Sequence, residues 1–167
     1  MVTKPYISLQ GFEKLTLQIK SLKQQADDLT RQMKENRENE TGDESENVEM
    51  IRLMGEREAI SEKYAELEEF CASCNVVDIE KLPEETEVVR FATTVKLLDI
   101  NTEKHYTYTI MGDREASPRD NVISYLSPIG KALMNEHVEN IVSIDTPSGE
   151  RELEILSITR HGTKKGA

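Results

Sequence analysis

The side chains best suited to chemistry lie in one short segment, Thr41-Gly42-Asp43-Glu44-Ser45-Glu46-Asn47. Asp43 and Glu46 are hard oxygen donors three positions apart, so a helical turn starting there places both carboxylates on one face. Mg²⁺ keeps several of its waters and commonly accepts one or two protein carboxylates alongside phosphate oxygens. Two acids are too few to hold a metal alone, so the segment is suited to completing a metal site that belongs to another protein. On composition alone, a loop with Glu35, Glu38, Glu40, Glu44 and Glu49 around that pair is a solvated turn. Its place at the end of a long arm, and the combination of Gly42 with oxygen donors, set it apart.

Other reactive types are less promising. Cys71 and Cys74 are the only cysteines, and their C-x-x-C spacing suggests zinc or redox chemistry. A structural zinc site wants four ligands, and His105, His137 and His161 are scattered without ligand spacing. Both cysteines also continue an apolar heptad, so packing is the better reading. Ser127 has no base visible in the sequence and is expected to cap a helix that begins at Pro128. No G-x-S-x-G, Walker-type loop, G-x-G-x-x-G or H-E-x-x-H occurs, which argues against a self-contained enzyme.

Two helices must position the acidic segment. Leu15, Ile19, Leu22, Ala26, Leu29 and Met33 alternate in steps of four and three, the period of a helix packed on a helix. Leu53, Arg57, Ile60, Tyr64, Leu67, Cys71 and Cys74 repeat that alternation, with Arg57 the only charged member. The first helix is predicted from about residue 9 to the late 30s and the second from the late 40s to about 74. If the chain reverses between them, Leu15 faces Cys71, Leu22 faces Tyr64 and Met33 faces Leu53, every pair matching an a with a d position. That is an antiparallel register, and it puts Asp43 at the fold-back point. At about 1.5 Å per residue, arms of roughly 28 residues hold the tip about 40 Å from the base.

Beyond Pro83 the pattern turns to strands. Residues 88–98 and 105–110 are rich in β-branched and aromatic types, with turn chemistry at 99–102. A short helix from Pro128 to about Met134 and strands at 141–146 and 152–158, joined through Pro147-Ser148-Gly149, complete a small antiparallel sheet crossed by one helix. The fold class expected is α+β, with a coiled-coil hairpin at 1–78, a globular domain at 79–158 and a flexible tail at 159–167.

The net charge of −11 on 167 residues is shared by both halves, with 10 basic against 16 acidic residues up to position 75. Sequence-independent duplex binding by phosphate neutralisation is therefore disfavoured. Arg31, Lys34, Arg37 and Arg52 read as the solvated flank of a coiled coil. No apolar run approaches a membrane span, and a soluble, cytoplasmic protein is expected.

Taken in order, several segments are diagnostic together. They are Ile7-Ser8-Leu9-Gln10-Gly11-Phe12-Glu13-Lys14-Leu15, the tip from Gly42 to Asn47, Ile110-Met111-Gly112-Asp113-Arg114-Glu115-Ala116, Ser127-Pro128-Ile129 with Lys131-Ala132-Leu133, and Asp145-Thr146-Pro147-Ser148-Gly149-Glu150. In order and spacing the chain resembles the bacterial Gre transcript cleavage factors, the GreA type more than the GreB type, over nearly its whole length. The resemblance implies a coiled-coil hairpin followed by a domain of the FKBP-like fold, acting as a monomer. It implies a globular domain that docks on the rim of the RNA polymerase secondary channel through Ser127 and Pro128, and a hairpin that passes down that channel. Asp43 and Glu46 then correspond to the family's tip acids, which help hold a Mg²⁺ of the polymerase active site and position a water against backtracked nascent RNA. No cofactor is implied for the chain by itself. Two departures stand out: Met50 replaces an aromatic after Glu49, and Gly130-Lys131 replaces an Ala-Arg pair. An inhibitory relative that blocks the same channel, an FKBP-like isomerase or chaperone, and a plain coiled-coil adaptor are the competing readings.

Overall fold

The computed structural model describes residues 4–39 and 47–162. Two compact units emerge, Phe12–Cys74 on one side and Met1–Gly11 with Asn75–Ala167 on the other. The first residues of the chain thus group with the second half, and the hairpin unit ends four residues before the expected boundary.

In the hairpin unit, α1 (Leu9–Asn39) and α2 (Val48–Ser73) have the lengths that the heptads specify. Leu22, Ala26 and Leu29 of α1 and Met50, Leu53 and Leu67 of α2 are buried. Every other predicted seam residue is half-buried, except Arg57, which is exposed. The antiparallel order is recorded by side chains that cross between the helices. Lys23 pairs with Glu68, Arg57 Nε donates to Thr30 Oγ1 at 2.8 Å, and Asn47 Nδ2 donates to Asn36 Oδ1 at 2.6 Å. Arg57 is thereby accommodated: it lies at the rim of the seam with a hydroxyl partner on the facing helix. Cys71 and Cys74 are half-buried free thiols, and burial pushes the Cys74 thiol up, away from thiolate reactivity.

The second unit begins with β1 (Tyr6–Ser8), which pairs in parallel with β2 (Asn75–Val77). The main sheet has the order β5-β4-β3-β7-β6. Its strands are β3 (Thr93–Asp99), β4 (His105–Met111), β5 (Val122–Ser124), β6 (Ile141–Thr146) and β7 (Gly149–Arg160), with α3 (Pro128–Leu133) packed against them. Val95, Leu97, Ile110, Leu153 and Ile155 from the strands meet Leu133 of α3 in one core, while Lys96 between Val95 and Leu97 is exposed, the alternation expected of a half-covered sheet.

Four differences from the sequence expectation have physical causes. The sheet is mixed, because β5 joins β4 in parallel rather than antiparallel. Residues 88–92 do not extend β3. Val89 instead exchanges backbone bonds with Asn135 and Glu136, and Ala92 adopts a left-handed φ of 63° that turns the chain before Thr93. The third difference is at the tail, where β7 runs to Arg160, with Thr159 opposite Thr94 and Arg160 opposite Thr93. Arg160 Nη1 also donates to the carbonyls of Glu80 and Leu82 at 2.9 and 3.0 Å, so the first two residues of the expected tail are part of the sheet. Finally, β1 and β2 form a parallel pair that the sequence pattern does not indicate, because three-residue strands display no period.

Candidate functional site

Asp43 and Glu46 lie outside the described residues, and the geometry bearing on them is that of the two helix ends that bracket residues 40–46. Asn47 makes that frame. Its Oδ1 accepts the Met50 N–H at 2.9 Å, capping the otherwise unpaired first turn of α2, while its Nδ2 reaches Asn36 on α1. The Asn47 side chain is buried, so one residue both starts α2 and ties it to the last turns of α1. An Asn immediately before an apolar-periodic run is a helix-start signal, and it could have been read from the sequence.

Among the described residues, several charges near this frame are paired. Arg52 Nε donates to Glu49 Oε2 at 2.9 Å, Arg52 Nη2 reaches Glu49 Oε1 at 2.6 Å, and Nη1 pairs with Glu56. The hydrogen bonds from Arg52 hold the Glu49 carboxyl below the usual range, and both acids raise the Arg52 guanidinium. Arg31 pairs with Asp28, and Lys34 lies 3.9 Å from Glu38. Arg31, Lys34 and Arg52 thus satisfy acids on their own helices, as a solvated flank does. Glu49, though close to the tip in sequence, is engaged by Arg52 rather than offered to a ligand.

The other candidate residues sit in the globular unit and are taken separately. Ser127 caps α3 as expected: its Oγ accepts the Gly130 N–H at 3.1 Å and donates to the Ser124 carbonyl at 2.7 Å. Its hydroxyl is consumed internally, so what this turn presents outward is the exposed ring of Pro128 and Leu126, 47% exposed. Leu126 had not been singled out. Gly130 is also explained, since a Cβ there would stand 2.9 Å from the Tyr125 Cα and closer still to the Ser124 carbonyl oxygen. Gly130 thus lets α3 pack directly on the backbone of the segment that precedes it.

Comparison with known proteins then decides the family. Residues 84–160 match the model for the C-terminal part of the transcription elongation factors GreA/GreB. The chain is 35% identical to transcription elongation factor GreA of Rickettsia felis, over 95% of its own length and 96% of that protein's. The chain belongs to the GreA/GreB family. A GreA from Yersinia pestis is 39% identical over 71% of this chain and 75% of its own, and one from Nitratiruptor is 31% identical over 95% and 94%. The solved structure of Thermus aquaticus Gfh1 aligns with 95% of this chain and 99% of that one at 25% identity, with a TM-score of 0.42. No helix among the described residues is long and apolar enough to cross a membrane.

Proposed function

We propose that this chain is a transcript cleavage and anti-arrest factor that works in the cytoplasm, as a monomer, on RNA polymerase paused with backtracked RNA. The observation that carries the reading is the Asn36–Asn47 tie. It ties the two long helices together at the margins of the segment that holds Asp43 and Glu46, which supports delivery of both acids from the end of one hairpin. The hairpin enters the polymerase secondary channel, while the α3 turn, through Leu126, Ser127 and Pro128, docks on the channel rim. Burying two exposed apolar side chains there gives affinity without any demand on the Ser127 hydroxyl.

The chemistry of the donor set fits Mg²⁺: two hard carboxylates, few enough to leave positions for water, phosphate and polymerase ligands. Mg²⁺ held there supplies charge stabilisation of the attacking and leaving oxygens of a phosphodiester. Asp43 and Glu46 supply oxygen ligands and orient a water, and the remaining machinery is the polymerase's. The chain is accordingly an accessory to hydrolysis and not an enzyme by itself.

A Mg²⁺ titration of RNA cleavage in backtracked complexes tests this. The wild-type protein lowers the Mg²⁺ concentration needed for half-maximal cleavage, and Glu46→Gln shifts it back up by about tenfold or more. An unchanged Mg²⁺ dependence in Glu46→Gln would contradict the ligand role.

A further inference from the structure

The root of α1 is held by a cluster that the cleavage reading leaves unused. Ser8, 3% exposed, precedes the helix and caps it, its Oγ accepting the Gly11 N–H at 2.9 Å. The same hydroxyl donates to Glu115 Oε1, and the Ser8 N–H donates to Glu115 Oε2 at 3.1 Å. Glu115 sits in the 3-10 turn Asp113–Glu115 that follows β4, and its carboxylate also receives the Gly112 N–H at 3.4 Å. One half-buried carboxylate therefore gathers three donors, two of them from the residue that starts α1.

The surroundings are shaped to this contact. A Cβ on Gly11 would lie 2.9 Å from Glu115 Cδ and 3.0 Å from Ile7 Cγ1, and one on Gly112 would collide with the Tyr6 carbonyl oxygen. Just ahead of Ser8, the Tyr6 N–H donates to the Tyr125 hydroxyl at 3.3 Å, and the rings of Tyr6, Phe91 and Tyr125 pack with centroids 5.8 to 6.3 Å apart. The Asn75 N–H donates to the Pro5 carbonyl at 2.7 Å. Tyr125 is two residues ahead of Ser127, so the segment that carries the docking turn also grips the chain that leads into α1. Leu9, Gln10 and Gly11, the first turn of α1, belong to the globular unit, and the same helix continues unbroken to Asn39.

We propose that Glu115 is a positioning residue for transcript cleavage: by clamping Ser8 it fixes the start of the helix whose far end delivers the tip acids. The inference rests on the cleavage reading above. A solvated surface acid would have no use for two glycines without room for a methyl group, nor for a buried serine whose N–H and hydroxyl both serve it. Positioning matters because small misplacements of a catalytic ligand cost far more in rate than in binding.

The test compares Glu115→Ala, Glu115→Gln and Gly11→Ala with wild type in two measurements on the full chain. The first is hydrogen exchange at the Ser8 and Gly11 amides, and the second is stimulated cleavage as a function of factor concentration. In Glu115→Ala both amides exchange faster by about tenfold or more. The maximal cleavage rate falls about tenfold or more, while the half-saturating concentration stays within about twofold. Glu115→Gln, which keeps an acceptor for the Ser8 hydroxyl, recovers part of the rate. Gly11→Ala adds helix propensity yet crowds Glu115. It reproduces the loss and carries the test alone should Glu115→Ala fail to fold. Fast-exchanging amides with an undiminished maximal rate would overturn the proposal, as would amides that stay protected in both alanine variants. Wild-type protein that binds polymerase without stimulating cleavage would overturn the cleavage reading and the positioning role together. Variants cleaving like an active wild type would overturn the positioning role alone.

Discussion

Asp99 shows how much one side chain can be asked to organise. It is fully buried at the end of β3, with Oδ1 accepting the N–H groups of Asn101 and Thr102 at 3.0 and 2.9 Å and Oδ2 receiving Arg151 Nε and Nη2 at 2.7 and 2.6 Å. Arg151 in turn lies over the Tyr106 ring, 4.9 Å from its centroid. Burial pushes the Asp99 carboxyl up, but the bonds from Arg151 and Thr102 outweigh it and hold it below the usual range. A carboxyl with a lowered folded pKa contributes stability that is complete above its unfolded value of about 4 and is lost as pH falls through the folded value. Thermal melts across the acid range therefore show wild-type stability dropping below about pH 4, and a shallower drop in Asp99→Asn, which starts from a lower melting temperature at neutral pH. Equal acid limbs in the two proteins would show that Asp99 is not the group responsible.

At the scale of elements, the hairpin was the legible part. Both heptads give the helix lengths and the facing register, because a seam repeated over many turns constrains both at once, while the fold-back point they assign to Asp43 lies outside the described residues. What the pattern does not carry is the second bond of Asn47, which depends on Asn36 arriving from the other helix. Removing that side chain in Asn47→Ala takes away a helix cap and a buried cross-helix bond, a loss of about 1–2 kcal/mol. Circular dichroism during urea unfolding measures it, and an unchanged transition midpoint would mean that the tip frame is not load-sharing. In the globular unit the long strands β4, β6 and the body of β3 were also legible from β-branched alternation. The three-residue strands β1, β2 and β5 were not, since three residues display no period and each is specified by a parallel partner distant in sequence. Ala92 misled in the opposite way. Residues 88–92 have strand composition, and only the left-handed backbone at Ala92, where an alanine gives no warning, ends the extended run.

For the molecule as a whole, sequence and structure divide the labour unevenly. Asp43 and Glu46 are proposed from residue type, spacing and family resemblance and lie outside the described residues, whereas the Asn36–Asn47 and Ser8–Glu115 contacts join residues that no local pattern pairs. Ser127 and Pro128 were found for their capping chemistry, yet the exposed surface they help form depends equally on Leu126. The central claim is that the acids of the tip complete a site in RNA polymerase. Its most direct test is cleavage of nascent RNA in backtracked elongation complexes, comparing wild type with Asp43→Asn at matched polymerase occupancy. The account predicts that wild type stimulates cleavage and that Asp43→Asn binds equally well but stimulates about a hundredfold less or not at all. Equal stimulation by both proteins, or binding by both with slowed elongation and no cleavage, would contradict it.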